Sequence, residues 1–470
     1  MRTYLKLAWR NIWRNKTRTI LTTIVVFILV VLATIMNSQQ YGIYDRWINN
    51  IVEYYGHFQI QDTAFWENQS IDDLFPYDSS LMKEISNNEN IQFVFPRLNS
   101  GALAAFGRLS RSAFIVGIEP FKEDKSSHFS EKLVKYKISP GRINCFKNKD
   151  IPDFLKKNIS RLRGKSYISV DFLEKDIQSI AEDENHKKYM NIFRDCFSVQ
   201  GQYLEKGDDG VIIGEGLAKL LHIDVNDTLV LMGRGYHGVS ADGLFPVRGI
   251  IKLPDLQLSK KLILMDLQTC QQYYSAENNI STLIVKLNKA GETDNAARKA
   301  GAILPGNLKA KTWEEMLPDK KQMIESDKAG GYFMKGIFYG LIAFLIFSTI
   351  MMMITERKKE LGIVVAIGMR KIRLFVVIFF ETLFIGILGT LLGMAASFPI
   401  INYIHNNPIP MTGESAEVME EFGFESVMYF SNSLDIFIWQ PVIIFVITMV
   451  IMVFPLINIT RLNIIKAIRG

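Results

Sequence analysis

The chain has 470 residues, enough for two or three domains, and 48% of them are hydrophobic although 22% carry charge. The net charge of +6 comes with no nucleic-acid motif, and the excess sits mainly beside apolar segments, which excludes a duplex-binding protein and suits a membrane with anionic headgroups. Three scattered cysteines, Cys145, Cys196 and Cys270, form no CxxC and exclude a clustered metal site; burial as small apolar side chains is expected, with a single disulfide left open.

At the start of the chain Arg2, Lys6, Arg10 and Arg14 recur every four residues, which draws a basic stripe along a helix. Leu5, Ala8, Trp9, Ile12 and Trp13 fall on the neighbouring face. The pattern predicts a cytoplasmic amphipathic helix over 1–18 lying in the membrane interface, with Trp9, Trp13, Arg10 and Arg14 at headgroup level. A spanning helix needs ~20 mainly apolar residues. Residues 20–36 provide the first, extended to 19–37, and without a small-x-small cleavage site they predict an uncleaved anchor.

Residues 38–331 are mixed-charge globular sequence. Short alternating runs at 57–61, 114–118, 210–214, 227–232, 245–251, 261–265 and 281–287 predict strands. Helices are predicted near 79–85, 215–221 and 292–300. The domain is therefore α+β, and the lysine-rich stretch of about 122–206 predicts a second lobe or insertion. The six histidines, His57, His128, His186, His222, His237 and His405, show no metal-binding spacing. Gly233-Arg-Gly235-Tyr-His-Gly238 matches GxGxxG after a strand, but no helix follows to receive a pyrophosphate, so a hairpin loop is expected. A Walker A motif and a GxSxG elbow are absent.

Three more spans are predicted, at 332–354, 374–400 and 436–457. Between the first two of these, residues 355–373 form a charged loop with helical spacing. Leu361, Val364, Val365, Gly368 and Ile372 share a face, and the spacing fits equally a helix plugged into a partner's groove and a hairpin lying on the membrane. In the third span Glu381 must face protein or water, because a carboxylate at the bilayer centre costs roughly 2.5–3.5 kcal/mol. A bond to a neighbouring helix or to the charged loop is expected for it. Gly386, Gly389 and Gly393 predict close packing, within or between subunits.

Orientation follows from Lys and Arg counts in the short flanks. Residues 1–19 hold six basic residues and no acid. The 355–373 loop is also basic, and the 458–470 tail adds Arg461, Lys466 and Arg469. The loop 401–435 has no Lys or Arg but carries Glu414, Glu417, Glu420, Glu421, Glu425 and Asp435. Both termini are thus predicted to be cytoplasmic, in a multi-pass membrane protein whose large domain faces outward.

The stretch ERKKELGIVVAIGMRKIRLFVVIFFETLFIGILGTLLG resembles the signature of FtsX-like ABC transporter permeases, at Glu356, Arg357, Glu360, Gly362, Ala366, Gly368, Ile372, Glu381, Gly389 and Gly393. The opening LAWRNIWRNKTRTILT and the ending RLNIIKAIRG look like that family's termini. YYGHFQIQDTAFW and GEGLAKLLHIDVNDTLVLM are similar to segments of its lipoprotein-releasing (LolC/LolE-type) branch, with Asn226 where a glycine is usual. The resemblance implies a MacB-like external domain and a coupling helix seated in a cytoplasmic ATPase. Its residues would be Glu356, Arg357, Lys358, Lys359, Glu360, Leu361, Gly362, Val365, Ala366, Gly368, Met369 and Arg370. It also implies no catalysis and no cofactor in this chain, ATP and Mg being bound by an ATPase dimer. The other partners implied are a second permease, the same or homologous, lipoprotein cargo and a periplasmic carrier or adaptor. MacB-like efflux, or a sensor or anchor without transport, are the competing expectations.

Overall fold

The computed structural model describes residues 2–14, 16–181, 189–411 and 427–460. The basic tail with Arg461, Lys466 and Arg469, the acids Glu414, Glu417, Glu420, Glu421 and Glu425, and His186 lie outside the described residues. Four long helices, Lys16–Tyr55, Pro318–Glu356, Lys371–Asn406 and Leu434–Thr460, are each apolar enough over one stretch to cross a membrane. Since ~20 residues suffice to span, the first two, at 40 and 39 residues, run on as polar helix beyond their apolar runs. That continuation shifts the borders of the inserted domain, which packs as a unit from Asn49 to Pro318 rather than from 38 to 331. The loop expected at 355–373 likewise contracts, because the third long helix already begins at Lys371.

The membrane unit is packed through small residues. A Cβ on Gly389 would lie 2.7 Å from the Cβ of Val26, and one on Gly393 equally close to that of Val30. Both glycines therefore let the third long helix approach the first within one chain, a contact that any side chain would push apart. Gly386 faces Phe445 and Met449 of the fourth helix. Polar bonding adds to this packing. Tyr339 donates its hydroxyl to Gln440 at 2.6 Å and receives the Asn37 amide at 3.4 Å, which joins the first, second and fourth helices.

In the inserted domain nine strands form the main sheet among the described residues. They are β1 (Phe58–Asp62), β2 (Ile91–Phe106), β3 (Leu109–Ile118), β4 (Val211–Gly214), β5 (Thr228–Arg234), β6 (Ser240–Ile251), β7 (Leu262–Asp266), β8 (Thr282–Leu287) and β9 (Leu308–Thr312). Their order is β9-β1-β8-β2-β3-β7-β4-β6-β5, and β5 pairs back onto the far half of β2, closing six strands on themselves. That closure leaves β5 without a free edge, while β9 remains an edge strand paired with β1. The β2–β3 hairpin turns on Gly107-Arg108, where Gly107 takes a positive φ of 59° that suits a two-residue hairpin turn. The GxGxxG match is the loop of the β5–β6 hairpin, held by Asp72, which accepts from Arg234 and from the His237 amide, both at 2.7 Å.

A second lobe stands within this domain on its own apolar core, including Ile138, Leu155, Leu173, Ile177 and Phe193. Cys145 and Cys196 are joined by a disulfide there, with Cα atoms 5.9 Å apart. This corrects the expectation of buried thiols for these two; a bridge across 51 residues carries no motif from which to read it. It ties the helix Pro140–Lys147 to the helix Met190–Phe197, beside the packed rings of Phe146, Phe193 and Phe197. Cys270 is a free, buried thiol against Gly117.

Two strands of the sheet and the helix Pro120–Ser127 share a buried ionic group. Arg97 on β2 donates to both oxygens of Glu123, at 3.1 and 2.6 Å, and stacks over Tyr54 at 4.8 Å. Lys286 on β8 is buried and donates to the Ser126 carbonyl at 2.6 Å. Burial lowers its pKa to about 8. Nearby His57 accepts the Leu287 amide at Nδ1 (3.1 Å), and burial, aided by Lys286, lowers its pKa to about 4. His57 is thus neutral in the fold, while an unfolded histidine binds a proton below about 6.5. Stability carried by this site is complete above pH 6.5 and is lost as pH falls towards 4. We expect the unfolding free energy of wild type to fall over that window by up to about 3 kcal/mol more than that of His57→Gln, as followed by denaturant titration at each pH. Parallel pH profiles would remove His57 as the cause.

Candidate functional site

The segment with the greatest concentration of candidate residues is the connection between the second and third long helices. Glu356 ends the second helix, Arg357 forms the corner, and a short helix runs over Lys358–Ala366. Its end is built by glycine. Gly368 takes a φ of 107°, its amide donates to the Val365 carbonyl and the Met369 amide to that of Val364. These two bonds satisfy carbonyls that a helix end would leave unpaired, and the backbone conformation strongly favours a residue without Cβ.

Arg357 is the anchor. Its Nη1 lies 2.6 and 2.7 Å from the two carboxylate oxygens of Glu381, and both side chains are almost wholly buried, at 6% and 4% exposure. The expected bond from Glu381 to the charged loop is therefore a buried ion pair within one chain. Glu360 extends it, with Oε2 3.8 Å from Arg357 Nε and 3.5 Å from Arg14 Nη2.

The structure corrects the face of the short helix. Leu361 and Gly362 are buried and Val364 and Val365 half-buried, Leu361 packing in the apolar core of the membrane unit. Of the stripe read from the spacing, Leu361, Val364 and Val365 thus face inward, because Arg357 pins the start of the helix, while Gly368 and Ile372, the latter 69% exposed, lie in the open. The outward face carries Ile363, 48% exposed, and Ile367, 82% exposed. These two were missed, although their i, i+4 spacing between charges was visible. Around them Glu356, Lys358, Lys359, Glu360, Ala366, Gly368 and Arg370 are exposed, and Met369 is half-buried.

At the N-terminus Arg2–Arg14 is helical, as the stripe predicts. Ala8 and Ile12 are buried, while Trp9 and Trp13 are 46% and 57% exposed. Trp9 meets Phe384 edge-on at 5.6 Å, and Thr19 donates to the Ile12 carbonyl. Arg10 and Arg14 are exposed. Among the described residues no cluster of His, Cys, Asp or Glu could hold a metal ion.

The model of the FtsX-like permease C-terminal domain matches residues 332–464. The chain carries an FtsX-like permease domain. That domain spans the second, third and fourth long helices with the short helix between them. The chain is also 22% identical over 199 residues to the lipoprotein-releasing system transmembrane protein LolC of Neisseria meningitidis, covering 40% of this chain and 47% of that protein. It thus spans about half the length of this relative. Two solved structures are similar in part. The periplasmic region of MacB from Actinobacillus actinomycetemcomitans is 12% identical, with a TM-score of 0.30 and coverage of 60% of this chain and 98% of that one. The extracellular domain of YknZ, an ABC-type transporter from Gram-positive bacteria, is 11% identical, with a TM-score of 0.26 and coverage of 51% and 90%.

Removing one partner of a buried ion pair strands the other charge, whereas replacing both by apolar groups is often tolerated. Glu381→Gln should therefore destabilise the permease domain by about 3–5 kcal/mol. The double variant Arg357→Met with Glu381→Leu should recover most of that loss, measured as the midpoint of detergent-induced unfolding. Additive losses in the double variant would show that the pair does not act as a unit.

Proposed function

We propose that the chain is the membrane-spanning subunit of an ABC transporter that extracts lipoproteins from the bacterial inner membrane. A separate cytoplasmic ATPase drives it, binding ATP and Mg outside this chain. The observation that carries this is the short helix in the permease domain, pinned through Arg357 to Glu381 and presenting Ile363 and Ile367 outward between charges. An apolar pair of that kind, rimmed by Lys358, Lys359 and Arg370, suits a groove on a partner protein. Movement of the partner would be felt at once by the second helix, which ends at Glu356, and by the third, which holds Glu381.

In this proposal both termini are cytoplasmic, the inserted domain is periplasmic, and a second permease completes the assembly. The similarity to LolC supports lipoproteins as the cargo. Extracting an acyl chain must offset ~0.8 kcal/mol for each buried CH₂, so an external energy source is required for a whole anchor. A soluble carrier would then receive the lipoprotein on the periplasmic side.

Ile367→Glu is the informative substitution, because the side chain is exposed and its loss does not disturb packing. Gly362, being buried, tests the fold instead. We expect tagged wild-type protein, purified in mild detergent, to bring an ABC ATPase and acylated lipoproteins identifiable by mass spectrometry. Ile367→Glu should lower the ATPase yield at least about tenfold, the loss of one buried anchor at an interface. An adaptor or outer-membrane channel in place of lipoproteins would change the cargo to an exported toxin or peptide. A folded preparation without any ATPase would leave a sensor or anchor and end the transport proposal.

A further inference from the structure

The first 44 residues contain no Asp or Glu. Within them Lys6, Arg10 and Arg14 are exposed on the helix Arg2–Arg14, whose opposite side buries Ala8 and Ile12 against the rest of the unit. Trp9 and Trp13 stand beside the basic row, half in the open, and the first apolar span begins at Thr19, five residues beyond the helix end. A row of cations with indole rings, fixed next to a membrane span, matches the chemistry of an anionic bilayer surface: phosphates for the cations and the headgroup zone for the rings. An acidic protein surface would not account for the two exposed tryptophans. One member of the row has a second contact. Arg14 Nη2 lies 3.5 Å from Oε2 of Glu360, the same oxygen that lies 3.8 Å from Nε of the buried Arg357.

We propose that the helix Arg2–Arg14 binds anionic phospholipid headgroups, and that Arg14, shared between those headgroups and Glu360, makes the short helix Lys358–Ala366 responsive to the charge of the bilayer. Both partners in the Arg14–Glu360 pair are more than half exposed, so the pair is weak and a lipid phosphate can compete for Arg14. When it does, Glu360 loses one of its two cations and the first turn of the short helix loosens. In a zwitterionic bilayer Arg14 stays on Glu360. The inference stands apart from the transport proposal, since it needs neither ATPase nor cargo.

The test uses the full chain in nanodiscs made with or without phosphatidylglycerol. Tryptophan emission is quenched by brominated phosphatidylglycerol or by brominated phosphatidylcholine at equal mole fraction, with Trp9→Phe/Trp13→Phe protein as the background. We expect the anionic lipid to quench Trp9 and Trp13 more strongly. The preference should fall about fivefold for each charge removed in Lys6→Gln, Arg10→Gln and Arg14→Gln, which leave the buried face of the helix intact. Amide hydrogen exchange over 358–366 should quicken when phosphatidylglycerol is added to wild type, and in Glu360→Gln it should be fast in both lipids. Equal quenching by the two lipids overturns the lipid site. A lipid preference with unchanged exchange over 358–366 in wild type overturns the link through Glu360.

Discussion

A carboxylate on a membrane helix must find a partner, and in this chain Glu381 finds Arg357 at the corner where the second long helix gives way to the short one. Much of the local geometry follows from that one bond. With Arg357 held inward, Leu361 lies one helical turn further on the same side and joins the core. Residues two and six positions beyond Leu361 then point away from it, and these are Ile363 and Ile367. Gly368 stops the helix before the apolar face can wrap round, and the chain returns at Lys371. The buried ion pair thus decides which apolar residues are spent on packing and which stay exposed.

The architecture was legible where one physical signal dominates. Four apolar runs predict four long helices, and alternating runs predict seven of the nine strands, because burial on one or both faces leaves its period in the sequence. The two missed strands, Ile91–Phe106 and Leu308–Thr312, give a weak signal of that kind. Pro96, Asn99 and Gly101 interrupt the former, and Lys309 and Lys311 leave the latter with little apolar content. Neighbour relations were harder. Gly389 and Gly393 announce close packing, but only the fold shows Val26 and Val30 opposite them. The apolar stripe of the short helix was visible, yet its direction depends on Arg357, whose partner lies 24 residues away. The Cys145–Cys196 bridge has no local signature at all.

The inserted domain solves a related electrostatic problem without lipid. Arg97 and Lys286 share a single buried carboxylate, Glu123, as near neighbours. Arg97 takes the bidentate bond and remains charged, as a guanidinium does. Lys286 donates to the Ser126 carbonyl instead, and burial draws its pKa down to about 8. The cost of a partly compensated cation is tolerated because the group fastens three pieces of chain: β2, β8 and the helix Pro120–Ser127. Glu53 and Tyr54 join it from the end of the first long helix, through Lys132 at 2.9 Å and through Arg97. A polar cluster of this kind fixes register where apolar packing alone would permit sliding.

Two independent kinds of chemistry bear on which side of the membrane this domain occupies. Flanking charge favours a cytoplasmic N-terminus, since six basic residues and no acid precede the first span. The disulfide depends on a different property, the redox state of the compartment. A bond between Cys145 and Cys196 persists where thiols are oxidised, as in a periplasm, and is rare in a cytosol held reducing by glutathione and thioredoxin. Neither argument borrows from the other: charge acts during insertion and oxidation acts afterwards, on opposite faces of the bilayer. Their agreement supports the proposed orientation more than either does alone. It also separates the roles of the three cysteines, because Cys270, buried against Gly117 with its thiol pKa raised by desolvation, has neither a partner cysteine nor solvent access for oxidation.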